Sequence, residues 1–161
     1  MRKELDDQIV ANYPELFKDR KSPMRNTIIP WGFSCGDGWY DIIDTLCNML
    51  TFDYRFAKNN YESLKRSNAT QEKIDIAKEK MDNELANVPT VAQVKEKFGG
   101  LTFRINDGKE KHYNYINFAN LISYKTCEVC GVPGKLYTGG WQRTLCHVHA
   151  VLDNREEAVN E

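Results

Sequence analysis

Cys127, Cys130, Cys146 and His149 are the residues whose types and spacing most directly imply chemistry in this sequence: CxxC, fifteen residues, then CxxH. A CxxC turn brings two thiolates onto one ion, and Gly131 immediately after it lets the backbone bend so that amides face the sulfurs. Cys146 and His149, three apart, share a face if they occupy the first turn of a helix. The set predicts a tetrahedral zinc site of three sulfurs and one imidazole nitrogen. His147 is the weaker candidate for the fourth ligand, because it would point off the face that carries Cys146. Disulfides are the alternative reading, but three cysteines and a histidine do not pair off. Four protein ligands leave no open coordination position, so the zinc is expected to be structural.

Other groupings are thinner. Asp37, Asp41 and Asp44 could form an acidic cluster for acid or metal chemistry; the plainer reading is a helix N-cap at Asp37 and carboxylates placed where a helix dipole favours them. Cys35 precedes a helix whose N-terminus could lower a thiol pKa, with His112 or His147 as base. A small core thiol is the commoner role for such a cysteine. His112 is expected in an exposed polar loop. A nuclease built on the zinc module needs a histidine near a nucleophilic water and an open metal position. The segment between the ligand pairs, GVPGKLYTGGWQRTL, holds neither a histidine nor an acid.

These groups must be positioned by a chain of 161 residues with net charge −1. That is one ordinary domain, or one domain with a small zinc appendage, and no global field argues for nucleic acid or an anionic membrane. The start, MRKELDDQ, is charged, and no apolar run is long enough to span a bilayer or act as a signal peptide, so a cytosolic protein is expected. With three of the five cysteines on metal, Cys35 and Cys47 are expected to be reduced thiols.

The pattern predicts an α+β fold: a 1–126 domain with a main helix and a β-hairpin, and a 127–161 zinc-binding module packed on it. The lead-in has helical spacing at Leu5, Ile9, Val10, Tyr13, Leu16 and Phe17, broken by Pro14. After the WGFSCGDGW turn, Trp39, Ile42, Ile43, Leu46, Met49 and Leu50 recur with the period of a core helix capped by Asp37. Residues 57–89 read as a solvated helical arm or insertion, with a capping box at Asn68 and Gln71 and a thin stripe at Ile74, Ala77, Met81 and Leu85. In VAQVKEKFGGLTFRIN, a two-residue turn at Gly99-Gly100 sets Phe98 against Leu101, Glu96 against Phe103 and Val94 against Ile105. One hairpin face then collects Ala92, Val94, Phe98, Leu101, Phe103 and Ile105. The other collects Gln93, Lys95, Lys97, Thr102 and Arg104, a small basic plate for an anionic ligand, although solvated sheet faces often carry lysines. Glu96 falls among apolar residues and needs a partner. A further helix uses Tyr115, Phe118, Ala119 and Ile122, widened by Ile116 and Leu121. A second Gly-Gly hairpin turns at Gly139-Gly140 with Thr138 opposite Trp141, and the terminal residues continue a helix and fray. Knuckle, hairpin and ligand-bearing helix together suggest a treble-clef module.

WGFSCGDGWYDII at 31–43, QVKEKFGGLTFRI at 93–105, and TCEVCG with GWxxTLCxxH in the Cys127–His149 stretch resemble a family of small proteins encoded by tailed bacteriophages and prophages. The resemblance covers about half the chain and leaves the 57–89 arm outside. It implies a phage origin and a zinc-bearing α+β domain, and supplies no reaction. It makes interference with host machinery or antiviral defence, in the host cytoplasm, the expected class of role. The reading that results is a non-enzymatic binding protein that captures a host protein or an anionic nucleotide-type ligand. Lys95, Lys97, Arg104, Gln93, Trp39, Trp31 and Asp37 are its candidate contacts, with Trp141 a further aromatic for stacking. A nucleic-acid-binding zinc protein is the first alternative, with Lys135 and Arg143 as its cations against Glu128, Asp153, Glu156 and Glu157. A treble-clef nuclease is the second.

Overall fold

The computed structural model describes residues 1–21, 29, 32–138 and 140–157. Helix α1 (Lys3–Asn12) ends two residues before Pro14, as a missing amide donor dictates. It buries Ile9, and the turn after it buries Tyr13, Leu16 and Phe17. Asp6 and Arg20 pair beneath this turn, and the Arg20 guanidinium lies 5.8 Å from the Phe33 ring centroid.

A 3-10 turn at Asp37–Trp39 leads into α2 (Tyr40–Arg66), which continues well past the expected core segment into the arm. Trp39, Ile43, Leu46, Cys47 and Leu50 are buried, whereas Ile42 and Met49 are only half-covered at the flank of the helix. Helix α3 (Gln71–Ala86) folds back on the outer half of α2, with Ala57 and Ala77 buried. Its N-cap is Thr70, without a side-chain cap; Asn68, expected in a capping box, instead takes a left-handed φ of 52° that reverses the chain.

Strands β1 (Thr90–Lys97) and β2 (Gly100–Asn106) form the expected antiparallel hairpin, with a corrected turn. The two turn residues are Phe98 and Gly99, with φ of 54° and 79°, and Lys97 pairs with Gly100. Gly100 belongs to the strand, where a Cβ would sit 2.3 Å from the Tyr124 ring, so its lack of a side chain serves packing rather than the turn. Moving the turn by one residue moves each partner by two, so the face parity survives while the partners change. Val94 lies opposite Phe103, Glu96 opposite Leu101, and Lys95 opposite Thr102. Phe98 leaves the core face and is exposed at the tip. A bulge between Val91 and Gln93 resets the alternation, so Val91 rather than Ala92 is fully buried. Ser34 extends this sheet: its amide donates to Val94 O and its carbonyl accepts from Glu96 N, at 3.0 and 2.8 Å.

Helix α4 (Glu110–Ser123) packs on β2 and antiparallel to α2, with Lys111 paired to Asp53. His112 is not in an exposed loop. It is buried in the first turn of α4, where its Nδ1 accepts the Lys109 amide at 3.1 Å, and burial holds its pKa below the usual value. Beyond α4 come β3 (Lys135–Thr138), β4 (Arg143–Leu145), α5 (His147–Leu152) and β5 (Glu156–Glu157). The β3–β4 register ends at Tyr137 opposite Arg143, so the connection is longer than a two-residue Gly-Gly turn; Gly139 lies outside the described residues. The terminal segment turns at Asn154 and pairs as β5 with β3 instead of extending the helix, with Thr138 opposite Glu156. The result is a mixed helix-and-strand fold with two small hairpins and a C-terminal Cys/His cluster. Among the described residues no helix is long and apolar enough to cross a membrane.

Candidate metal centre and its docking loop

The knuckle at Cys127–Gly131 is closed by its own backbone. Gly131 N donates to Cys127 O at 2.9 Å, Cys127 N donates to Val132 O at 2.8 Å, and Gly131 takes a φ of 80° that a Cβ would strain. The β3–β4 hairpin returns the chain to Cys146, which is the N-cap of α5, so His149 lies one turn on, as the i,i+3 spacing predicts. The four ligand atoms lie within 4.8 Å of one another. Cys127 Sγ is 3.5 Å and Cys146 Sγ 3.1 Å from His149 Nδ1, and Cys130 Sγ is 3.9 Å from Cys146 Sγ. Two sulfurs at about 2.3 Å from a tetrahedral ion are about 3.8 Å apart, so these separations suit the edges of a coordination tetrahedron.

The electrostatics shift two of the sulfurs toward the thiolate. Burial raises the Cys127 thiol, but amides of Cys146, Cys130 and Val129 donate to its sulfur and bring it below the usual value. The His149 amide does the same for Cys146. At Cys130 the Val132 amide works against partial burial and the neighbouring sulfurs, which together push it up. Amide donors aimed at sulfur fit a thiolate site, and Cys127, Cys130, Cys146 and His149 could hold a metal ion there. His147, on the same helix, is exposed.

Seated on the knuckle is the CGDGW loop. Gly38 N donates to Glu128 O and Gly36 N to Glu128 Oε1, each at 2.8 Å, while the Trp39 indole donates to Thr126 O at 2.9 Å. The approach is so close that a Cβ on Gly36 would lie 2.2 Å from Glu128 O. One on Gly38 would lie 2.2 Å from Cys127 O and 2.4 Å from Gly131 N. Glu128, inside the CxxC gap, is buried and also meets Arg143 Nε at 3.3 Å. Sequence reasoning weighed Glu128 only as an acid beside the module's cations and missed its contact with the loop; the available signal was the pair of glycines flanking Asp37.

Asp37 does not cap α2. Its carboxylate accepts the Arg2 amide at 2.7 Å and the Arg2 guanidinium at 2.5 Å, and the Arg2 amide foremost lowers its pKa. Trp39 is fully buried, so its ring faces no ligand; Trp31 lies outside the described residues. Cys35 is buried and burial lifts its thiol to about 12, far from a thiolate nucleophile. On the hairpin, Gln93 pairs opposite Arg104 and Lys95 opposite Thr102, with Lys97 next along the same face. Among the described residues none of Lys95, Lys97 and Arg104 has an ion-pair partner; Lys97 lies 4.9 Å from the Phe98 ring centroid. Glu96 finds its partners at the turn and in the metal module: its Oε1 accepts Gly99 N at 2.7 Å and its Oε2 the Trp141 indole at 2.6 Å. Arg143 lies against Glu128 and Asp153, which removes a cation from the nucleic-acid reading.

Comparison with protein-family models, curated proteins and solved structures finds no match to the chain. The class of protein is therefore defined by its own fold and site: a mixed α and β protein with a C-terminal Cys/His cluster compatible with metal binding.

Proposed function

We propose that this is a non-enzymatic binding protein of phage origin, acting in the host cytoplasm on a host factor or antiviral defence. Its treble-clef-like module holds a structural zinc at Cys127, Cys130, Cys146 and His149. The binding surface is the basic face of the β1–β2 hairpin, where Lys95, Lys97 and Arg104 take an anionic nucleotide-type ligand or an acidic patch of a host protein. The observation that carries the reading is the coincidence of three cations, without acidic partners among the described residues, on one sheet face with a hairpin tip fastened to the Cys/His module. Thr144 Oγ1 donates to Gly99 O at 2.6 Å, and Trp141 bonds Glu96. Trp141 is 61% exposed beside that tip and offers a fixed ring for stacking. The phage setting and the host target rest on the motif resemblance alone.

Native mass spectrometry of freshly purified protein, before and after exposure to infected-cell lysate, tests both parts. One zinc per chain and a retained ligand or protein that is lost in the Lys95→Ala, Lys97→Ala, Arg104→Ala variant is the expected result. Retention unchanged in that variant refutes the assignment of the surface, and a metal-free folded chain refutes the zinc.

A further inference from the structure

The face of the α2–α4 pair that points away from the core carries an apolar stripe that no described residue covers. On α2, Ile42, Thr45, Met49, Phe52 and Phe56 follow one another at alternating spacings of three and four, which keeps them in one line along the helix. Antiparallel to it on α4, Tyr115, Phe118 and Ile122 repeat the same spacing. Between the two lies an open groove of about 250 Å³ lined by Ile42, Thr45 and Met49 of α2 and Tyr115, Phe118 and Ile122 of α4, and Phe52 and Phe56 carry the α2 line on beyond it. Phe52, Phe56 and Phe118 are 60–62% exposed, and the two α2 rings stack with centroids 6.3 Å apart.

A whole phenylalanine side chain covers about 200 Å², so these three rings with Ile122 and the groove walls leave roughly 500 Å² of contiguous apolar surface. That is at the upper end of what a monomer exposes, and most of the roughly 800 Å² per partner of a standard interface. We propose that the occupant is a second copy of this chain, whose α2–α4 pair packs on the first across a two-fold axis to close a four-helix bundle. Self-complementarity follows from the geometry: two antiparallel helices with the same three-four repeat supply a matching pair of ridges and a groove when rotated by half a turn. The charge pattern agrees. The stripe itself is uncharged, Asp53 is paired with Lys111, and Asp41 borders the other end of the groove, so a two-fold axis through the middle sets Asp41 beside the Asp53–Lys111 pair and away from its own copy.

Sedimentation equilibrium of the zinc-loaded chain from about 1 to about 200 µM tests it. The expected result is a concentration-dependent rise from 18.6 kDa toward twice that mass. Phe118→Asp and Phe52→Lys, on different helices and both exposed, are each expected to weaken association about tenfold or more while circular dichroism stays unchanged. Ile76→Asp, equally exposed at 61% on α3 away from the groove, is expected to change nothing. A chain that stays at 18.6 kDa across the range overturns the proposal, as does a dimer whose dissociation constant neither Phe118→Asp nor Phe52→Lys alters.

Discussion

Gly38→Ala is a one-methyl change whose sign separates two accounts of the CGDGW loop. Gly38 has no positive φ, so alanine suits its backbone, and if the loop merely led into α2 the substitution would stabilise the fold by about 0.4–1 kcal/mol through the unfolded chain. The structure gives the opposite sign. The new Cβ would lie 2.2 Å from Cys127 O, 2.4 Å from Gly131 N and 2.6 Å from Cys130 N, all backbone atoms of the knuckle that cannot swing aside. The loop has to lift, and three hydrogen bonds go with it: Gly38 N to Glu128 O, Gly36 N to Glu128 Oε1, and Trp39 Nε1 to Thr126 O.

At about 1 kcal/mol net for each bond the loss is about 3 kcal/mol. For a chain of this size that corresponds to a fall in Tm of roughly 6–12 °C. Urea unfolding with tryptophan emission, run on zinc-loaded protein, reads it directly. Gly140→Ala is the control: its φ of 84° gives it a backbone cost of about 1 kcal/mol, but nothing lies within 4 Å of the added methyl. A Gly38→Ala variant as stable as the parent, or more stable, refutes the docking of loop on knuckle.

Cys130→Ser is expected to abolish metal retention and release amide-exchange protection over 127–157 and over Gly36–Trp39 together, since metal binding supplies about 10–16 kcal/mol in zinc-finger peptides; protection unchanged in either segment contradicts it. In Glu96→Gln one of the two donors, Gly99 N–H or the Trp141 indole, meets an amide NH2, at a cost of about 1–2 kcal/mol. A red shift of emission that disappears in Trp141→Phe would report the freed ring, and identical spectra would rule the tether out. Burial raises the Cys35 thiol from 9.0 to about 12, and burial with a hydrogen bond to Asp44 raises Tyr13 from 10.0 to about 12. Both keep their protons in the folded chain at pH values where the unfolded chain loses them. Their contribution is complete below about pH 9 and is lost as pH climbs to about 12. Tyr13→Phe should flatten the part of the urea-midpoint profile between pH 10 and 12, and a superimposable profile counts against it.

The Cys/His cluster was legible because its constraint is local: a knuckle needs two sulfurs and a glycine within five residues, and a helix turn needs a spacing of three. The hairpin was legible as a hairpin and its faces as faces, because alternation survives a shift of the turn. Its register was not, since two adjacent glycines read as the turn although Gly100 is a strand residue pressed against Tyr124, and Gly99 lies against Leu136, contacts at least 24 positions away. The same holds for Asp37, whose carboxylate is claimed by Arg2; His112 differs, because the bond that draws it into the first turn of α4 is local, from the Lys109 amide. Phe118 and Ile122 fit a helical period yet stand exposed. Periodicity identifies an apolar face; it does not say whether this chain covers it.

The glycines of the CGDGW loop tie the metal centre to the N-terminal half in a way spacing alone does not express. Trp39 sits in the main core and donates to Thr126, next to Cys127, while Glu128 between the two knuckle cysteines receives the Gly36 and Gly38 amides. The backbone that presents Cys127 and Cys130 is thus held from outside the ligand stretch. Whatever free energy the seated loop adds to metal affinity, bound metal must return to the seating of the loop. Gly38→Ala should therefore weaken zinc binding in a chelator competition as well as lowering Tm, with each 1.4 kcal/mol of lost coupling read as a tenfold shift. A variant that loses stability while binding zinc with the parent's affinity would show that the loop steadies the core alone and leaves the metal site indifferent to it.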